Sequence, residues 1–489
     1  MTFLLSLFLF SNLVYSSEVT INDAPLEWLI TNTLQEKIDD HGHLENKDEL
    51  VQDIFKNISY NPQNDEIILT SNKNSFNLRE NLIDFLNHRT KSNSVDELYQ
   101  AWTKEGQTSL PVTLYKTNYK QPGFYYFNHI HTKLSQDNDS LKFLKYSPTK
   151  TFGFIENFLN RRRAVGSVAF TDHDTDKAFD EVSSIGSSRL TPLRGIEWGG
   201  ATHMCLIDIK EDWDNLANGR KFEKEESIRQ SRSSGGFRIV NHPNRKGPFP
   251  YTSWLDADGI EVWNTILENS PFLRLNIKRS DNRGALAQWV NALKTGKRYT
   301  AVSGSDFHFA IPCFRERTLT YPLNFIPGTE TSQTSDYLKQ GRNSFITRPD
   351  APKLTLQAKF QNESLWSHMG GDLKGSGMLD VRLYGDFSDT NKRIGGACYN
   401  VVNKFYKLFT FWKKRQWEIR FFDIKGEVIA KKYINPKWYN YKKHFKATIR
   451  VPVAGMDVIR AELWEVNQKS KSVDLLGATN PIYLNRSIN

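Results

Sequence analysis

Between residues 123 and 320 the chain repeats one arrangement: a short apolar run reaches a polar residue able to bind a metal ion, and a polar or helical stretch follows. The runs are FYYFNHIH, SVAFTDHD, LRGIEW, FRIVNHPN, GIEVWN and YTAVSGSDFH. Their length and their Val, Ile, Phe and Tyr content predict strands. SPTKTFGFIENFLNRRR and SPFLRLNIKRSDNRGALAQWVNALKTG, lying between them, predict helices. Strand, polar tip and helix in alternation is the rhythm of an α/β barrel, whose chemistry gathers on loops beyond the C-terminal ends of the strands.

The flanks differ. From about 18 to 122 the chain is polar, and segments such as APLEWLITNTLQEKI and LRENLIDFLNHRT space apolar residues three and four apart, which predicts a mostly helical N-terminal extension. After a barrel over 123–350, residues 351–489 read as strands. In HFKATIRVPV, Phe445, Ala447, Ile449 and Val451 share one face while Lys446, Thr448 and Arg450 share the other. WEIRFFDIKGEVIAKKY predicts a hairpin turning at Lys425 and Gly426, so the C-terminal part is expected to be β-sandwich-like. At the other end, the apolar stretch from Phe3 to Val14, followed by Ser16 and Ser17, predicts a signal peptide over 1–17 and a secreted or periplasmic protein. It is too short to span a bilayer, and no other stretch approaches the roughly 20 apolar residues a spanning helix needs.

The polar tips form one set. His129 and His131 make an HxH pair, and alternate residues of a strand point to the same side, so two imidazoles can share one ion. Asp137 follows in the loop. TDHD supplies Asp172, His173 and Asp174, GIEW supplies Glu197, and THMCLIDI supplies His203. NHPN supplies His242, SDFH supplies Asp306 and His308, and Glu261 and Asn264 lie in GIEVWN. A single strand histidine is usually an ordinary core or loop residue. This set draws on six of the eleven histidines, and buried charges need pairing or a metal. Imidazole with carboxylate suits Zn²⁺, Mn²⁺ or Fe²⁺ and disfavours Ca²⁺ or Mg²⁺ alone. The three cysteines, Cys205, Cys313 and Cys398, lie in no CxxC pair and close at most one bridge, which excludes a thiolate zinc site and a disulfide scaffold. Asp172 is expected behind the ligands, accepting a proton from an imidazole and fixing its tautomer.

HIH, TDHD, GIEW, NHPN and SDFH, in that order, resemble the polymerase-and-histidinol-phosphatase (PHP) family of metal-dependent phosphoesterases. The likeness is to its exported branch of CehA/McbA-like metallohydrolases, and it extends to QGRNSFITRPDAP (Gln340 to Pro352) and ATNPIYLN (Ala478 to Asn485). It covers about 123 to 489. It implies an α/β fold of distorted (β/α)7 PHP barrel type with two or three divalent metal ions. By motif, His129, His131, Glu197 and Asp306 resemble the ligands of one ion. Glu197, His203 and His242 resemble those of a second, and Asp137, His173 and His308 those of a third. Many members carry a His at the place of Asp137. The implied reaction is phosphomonoester or phosphodiester hydrolysis by a metal-bridged hydroxide, with no serine or cysteine nucleophile. Asp306 or His308 can handle the leaving-group proton. Arg245 and Lys246, just after His242, are candidates for binding an anionic group, as well as for an ordinary solvated loop.

Carboxylester or carbamate hydrolysis in the same fold remains open, because the ligands do not distinguish an ester carbonyl from phosphorus. An exported nuclease and a non-catalytic binding protein are further alternatives. The formal charge of +10 is concentrated between Tyr399 and Arg450, where 14 Lys and Arg face three acids among many aromatics. That segment can contact nucleic acid or another anionic surface, or can form a sandwich core coated by lysines.

Overall fold

The computed structural model describes residues 58–61, 66–70, 75–77, 110, 112–136, 145–198, 203–210, 213, 232–233, 235–243, 257–264, 282–308, 315–390, 415–426, 428–434, 444–453, 456–467 and 473–485. Contacts divide the chain into Met1–Tyr99 and Gln100–Asn489. In the first unit the described residues are three strands, β1 (Ile58–Asn61), β2 (Glu66–Thr70) and β3 (Ser75–Asn77), joined antiparallel in that order. The helical segments expected at 24–38 and 78–90 lie outside the described residues, as does the signal peptide expected over 1–17.

The second unit is mixed α/β, mostly sheet with few helices. After β4 (Thr113–Lys116) come β5 (Phe124–Ile130), β6 (Gly166–Phe170), β7 (Leu190–Leu193), β8 (Gly195–Trp198), β9 (Met204–Ile207), β10 (Phe237–Val240), β11 (Gly259–Asn264) and β12 (Thr300–Gly304). All six of the apolar runs form strands. β5, β6 and β7 pair in parallel, as do β10, β11 and β12, while β9 runs antiparallel to both β8 and β10. Two isolated parallel bridges, Ile130 to Phe307 and His173 to Glu197, join residues at the ends of these two sheets.

The helix Pro148–Arg162 starts where Ser147 Oγ accepts the Lys150 N–H at 3.3 Å, with Pro148 opening the first turn. It buries Phe152, Ile155, Phe158 and Leu159, the three-and-four spacing of an amphipathic face. Phe158 meets the rings of Tyr125 and Phe127 on β5 edge to face. The helix Asn282–Lys294 packs on β11 in the same way through Leu286, Trp289, Val290 and Leu293.

β13 (Leu323–Ile326) continues the first sheet antiparallel to β5, and β14 (Ser344–Ile346) follows it. The remaining strands are β15 (Lys353–Phe360), β16 (Ser367–His368), β17 (Asp372–Leu373), β18 (Met378–Asp386), β19 (Arg415–Phe422), β20 (Val428–Ile434), β21 (Phe445–Pro452), β22 (Val458–Asn467), β23 (Val473–Thr479) and β24 (Ile482–Leu484). β14 pairs with β23, so the C-terminal strands share one sheet with β5, β6 and β7. A second sheet has the order β16-β15-β18-β21-β4, which brings Thr113–Lys116 into register with β21. β19 and β20 form the expected hairpin, and Gly426 in its turn takes φ +80°, which a side chain would resist. On β21, Phe445, Ala447, Ile449 and Val451 are buried as the alternation required. Trp417, Phe421 and Phe445 of the basic segment lie in the core, while Lys446 and Arg450 do not; residues 399–414 and 435–443 lie outside the described residues. Among the described residues no helix is long and apolar enough to cross a membrane.

Trp289 tests the packing of the second unit. It is fully buried, and its Nε1 donates to the Tyr299 carbonyl at 2.7 Å. Trp289→Ala should cost about 3–5 kcal/mol, from the cavity and the stranded carbonyl. A denaturant midpoint unchanged from wild type would contradict this packing.

Candidate metal centre

Eight of the nine sequence-predicted ligands fall within the described residues, and the structure brings all eight together at one end of the sheet strands. His131 follows β5, His173 follows β6, and His242 and Asp306 stand two residues beyond β10 and β12. Glu197 lies within β8. β9 runs the opposite way, so His203 reaches the same end from its N-terminal side. Asp137, Arg245 and Lys246 lie outside the described residues.

The convergence of His129 and His131 has a different cause from the one the alternation suggested. The β5–β6 register shifts between Phe127 and Ile130, and His129 takes φ 58°. A bulge, rather than a regular pleat, brings the two rings to 5.3 Å between centroids. His242 and Asp306 also have positive φ, at 27° and 47°. For residues with a side chain this backbone costs of order 1–3 kcal/mol each, and it gathers where a site imposes it.

Glu197 is the hub. Its Oε1 lies 3.1 Å from His129 Nε2, 3.0 Å from His203 Nδ1 and 3.3 Å from His242 Nε2. Its Oε2 lies 3.1 Å from His131 Nε2 and 3.3 Å from His173 Nε2. Asp306 Oδ1 lies 3.3 Å from His129 Nε2, 3.4 Å from His131 Nε2 and 3.2 Å from His308 Nδ1. Four triads each place their donor atoms within 4.8 Å of one another: His131, His173 and His308; His129, His242 and Asp306; His129, His131 and Glu197; and His173, Glu197 and His203.

The fit to a metal shows in which atoms lack partners. His129 Nε2, His131 Nε2, Glu197 Oε2 and Asp306 Oδ1 are buried and make no hydrogen bond, although they face one another. Orphaned buried polar atoms are rare and costly. Four of them converging without hydrogen-bond alignment fit a shared cation. These groups could therefore hold a metal ion, and nitrogen with carboxylate oxygen is a suitable donor set.

Electrostatics agree. Burial opposes charge on Glu197, yet His129, His173 and His203 hold its carboxyl well below the usual range. Burial likewise opposes charge on Asp306, and His129 and His308 hold it well below. Burial works against the His129 imidazolium, but Glu261, Glu197 and Asp306 raise it well above the ordinary value. Cys205, paired in register with Glu197, is pushed up to about 12 by burial, so it offers no thiolate.

Three further groups hold the ligands. Asp172 was expected to take a ligand's proton; instead its Oδ2 accepts from Thr132 Oγ1 at 2.7 Å and its Oδ1 accepts from the Thr132 N–H, fixing the turn after His131. The carboxylate on an imidazole is Glu261, whose Oε1 lies 2.8 Å from His129 Nδ1. Asn241 Nδ2 donates to Glu197 Oε1 at 2.8 Å. Glu261 stands out in the sequence as the carboxylate of GIEVWN, without a role, whereas nothing in FRIVNHPN separates Asn241 from an ordinary strand residue.

Acid sensitivity follows. Burial drives His173 from 6.5 to about 3 and lowers His242; burial, with Arg342 and Arg382, takes His368 to about 4. Below pH 6.5 the unfolded chain binds protons that these three refuse in the fold, so stability falls as pH falls. The raised His129 and His131 oppose this while the unfolded chain titrates near pH 6.5 and add no slope once both states are protonated. At lower pH the depressed Glu197 and Asp306 act in the same sense, against the raised Asp172. The melting temperature of metal-free protein should therefore drop from about pH 5.5 to pH 4, and a flat profile over that range would contradict this burial. No family model matches the chain, and no curated protein matches it.

Proposed function

We propose that the protein is an exported metal-dependent hydrolase, most simply a phosphoesterase, built on a distorted (β/α)7 barrel of the PHP kind. The barrel reading is supported by two single bridges that draw the two sheets together at one end. One runs from Ile130 at the end of β5 to Phe307, three residues past β12, and the other from His173, three residues past β6, to Glu197 on β8. The order HIH, TDHD, GIEW, NHPN and SDFH supports the family assignment, and residues 1–17 support export.

The observation that carries the function is the composition of the cluster: six imidazoles converge on two buried carboxylates, with four orphaned donor atoms between them. His129, His131, His173, Glu197, His203, His242, Asp306 and His308 would hold two or three ions of Zn, Mn or Fe, with Asp137 as a further donor. Bound there, the ions would supply a water acid enough to ionise near neutrality and positive charge for the developing oxyanion. Two carboxylates among six imidazoles leave a cationic surplus in such a site, which matches an anionic phosphoryl group better than a neutral ester.

The chain's own groups divide the remaining work. His129, His131, Glu197 and Asp306 form the buried floor. His173, His203 and His308 are partly exposed and form the side open to substrate. His308, whose Nδ1 lies 3.0 Å from the Asp306 carbonyl oxygen, and Asp306 are the candidates for handling the leaving-group proton. Arg245 and Lys246 are candidates for the non-bridging oxygens.

Purified protein should contain tightly held transition metal and should hydrolyse chromogenic phosphomonoesters or phosphodiesters. His131→Ala and Asp306→Ala should each lower kcat/KM by more than the roughly 10- to 100-fold that loss of an outer partner costs. Hydrolysis of carboxylesters alone would overturn the phosphoesterase reading, and near-normal turnover in either variant would overturn the site.

A further inference from the structure

Glu261 is a buried carboxylate that none of the ligand triads includes, yet it touches two members of one of them and reaches the third through Asn264. Its Oε1 lies 2.8 Å from His129 Nδ1. Its Oε2 accepts the backbone N–H of His242 at 2.8 Å and Asn264 Nδ2 at 3.0 Å. Asn264 Nδ2 also lies 3.2 Å from Asp306 Oδ2. His129, His242 and Asp306 thus come from three separate segments, and a single carboxylate with its amide neighbour ties them together. These are also three residues with strained, positive φ.

Two features of the backbone create room for this contact. The β11–β12 register shifts between Glu261 and Trp263, which re-aims Glu261. At residue 304 a Cβ would lie 1.9 Å from Glu261 Oε1 and 2.7 Å from His129 Cβ, so only glycine admits the pair. Asn264 is itself held: its N–H donates to Asn282 Oδ1 at 2.9 Å, and its carbonyl accepts from Asn282 Nδ2 at 3.0 Å.

We infer that Glu261 is the positioning residue of the centre: it holds a proton on His129 Nδ1 so that the Nε2 lone pair faces the cluster, and it fixes the strained His242 and Asp306 segments around the same point. The role rests on the metal-binding reading above. It is a carboxylate–imidazole–metal relay, in which the outer carboxylate selects the tautomer of the inner ligand.

The chemistry of glutamine makes a sharp test. In Glu261→Gln the side-chain oxygen stays with its two donors, the His242 N–H and Asn264. The amide NH₂ then faces His129 Nδ1, which must accept. The imidazole proton moves to Nε2, where it blocks the donor. Metal-free wild type and Glu261→Gln are titrated with Zn²⁺ against a chelator, and histidine nitrogens are read by ¹H–¹⁵N NMR in the zinc-loaded proteins. Zn²⁺ affinity should fall about 10- to 100-fold. The slowly exchanging His129 Nδ1–H of wild type should disappear, with thermal unfolding still cooperative. A folded Glu261→Gln with wild-type Zn²⁺ affinity and an intact Nδ1–H overturns the inference and leaves the metal reading standing. A wild type that takes up no Zn²⁺ overturns both. If Glu261→Gln does not fold, Asn264→Ala decides: weakened Zn²⁺ binding with the His129 Nδ1–H retained supports the network, and unchanged binding refutes it.

Discussion

The second unit is organised around two carboxylates that could not stay buried alone. Glu197 and Asp306 are each about 1% exposed. An ionised carboxylate in such surroundings is unfavourable by several kcal/mol unless opposite charge or a metal meets it. Six imidazoles arrive within 3.4 Å of their oxygens, from five stretches of chain that are far apart in sequence. The strand order, the antiparallel insertion of β9 and the two edge bridges all have the same effect, which is to deliver those nitrogens to one place.

That delivery is not free of strain. His129, His242 and Asp306 adopt left-handed backbone, which residues with side chains avoid. Hydrogen bonds beyond the donor atoms hold each one in place. Asp172 fixes the turn after His131, Asn241 anchors Glu197, and Glu261 reaches both His129 and the His242 amide. The centre is therefore two layers deep. The inner layer has orphaned atoms able to accept a cation, and the hydrogen bonds of the outer layer keep those atoms aimed inward.

The C-terminal strands contribute to the same frame. β14 bridges β13 and β23, so a single apolar core runs from Phe127 and Ile155 to Leu356, Leu383 and Leu463. Asn480 reaches from the C-terminal end to donate to the Ala301 carbonyl at 2.9 Å and to accept the Ala301 N–H at 2.7 Å, on the strand that leads to Asp306. Residues of the NPIY segment thus brace a ligand-bearing strand directly.

By itself the sequence determined the six strand runs between 124 and 304, the types of candidate ligand and the hairpin at Gly426, but not β1–β4, which lie in a stretch expected to be mostly helical. Those properties are local: period-two alternation, a polar residue ending an apolar run and a turn glycine act over a few residues. The eight described candidate ligands were legible because each stands in or beside the polar tip of an apolar run. What only the tertiary structure decided was which residues stand behind the ligands and how the backbone aims them. Glu261 stands out as the carboxylate of GIEVWN but not as the partner of His129, and Gly304 looks like an ordinary turn residue. Their roles exist only where β5, β10, β11 and β12 meet. The bulge at His129, the pairing of Thr113–Lys116 with β21 and the continuity of β14 with β23 depend in the same way on partners far along the chain, because register and close approach belong to pairs of segments rather than to either one.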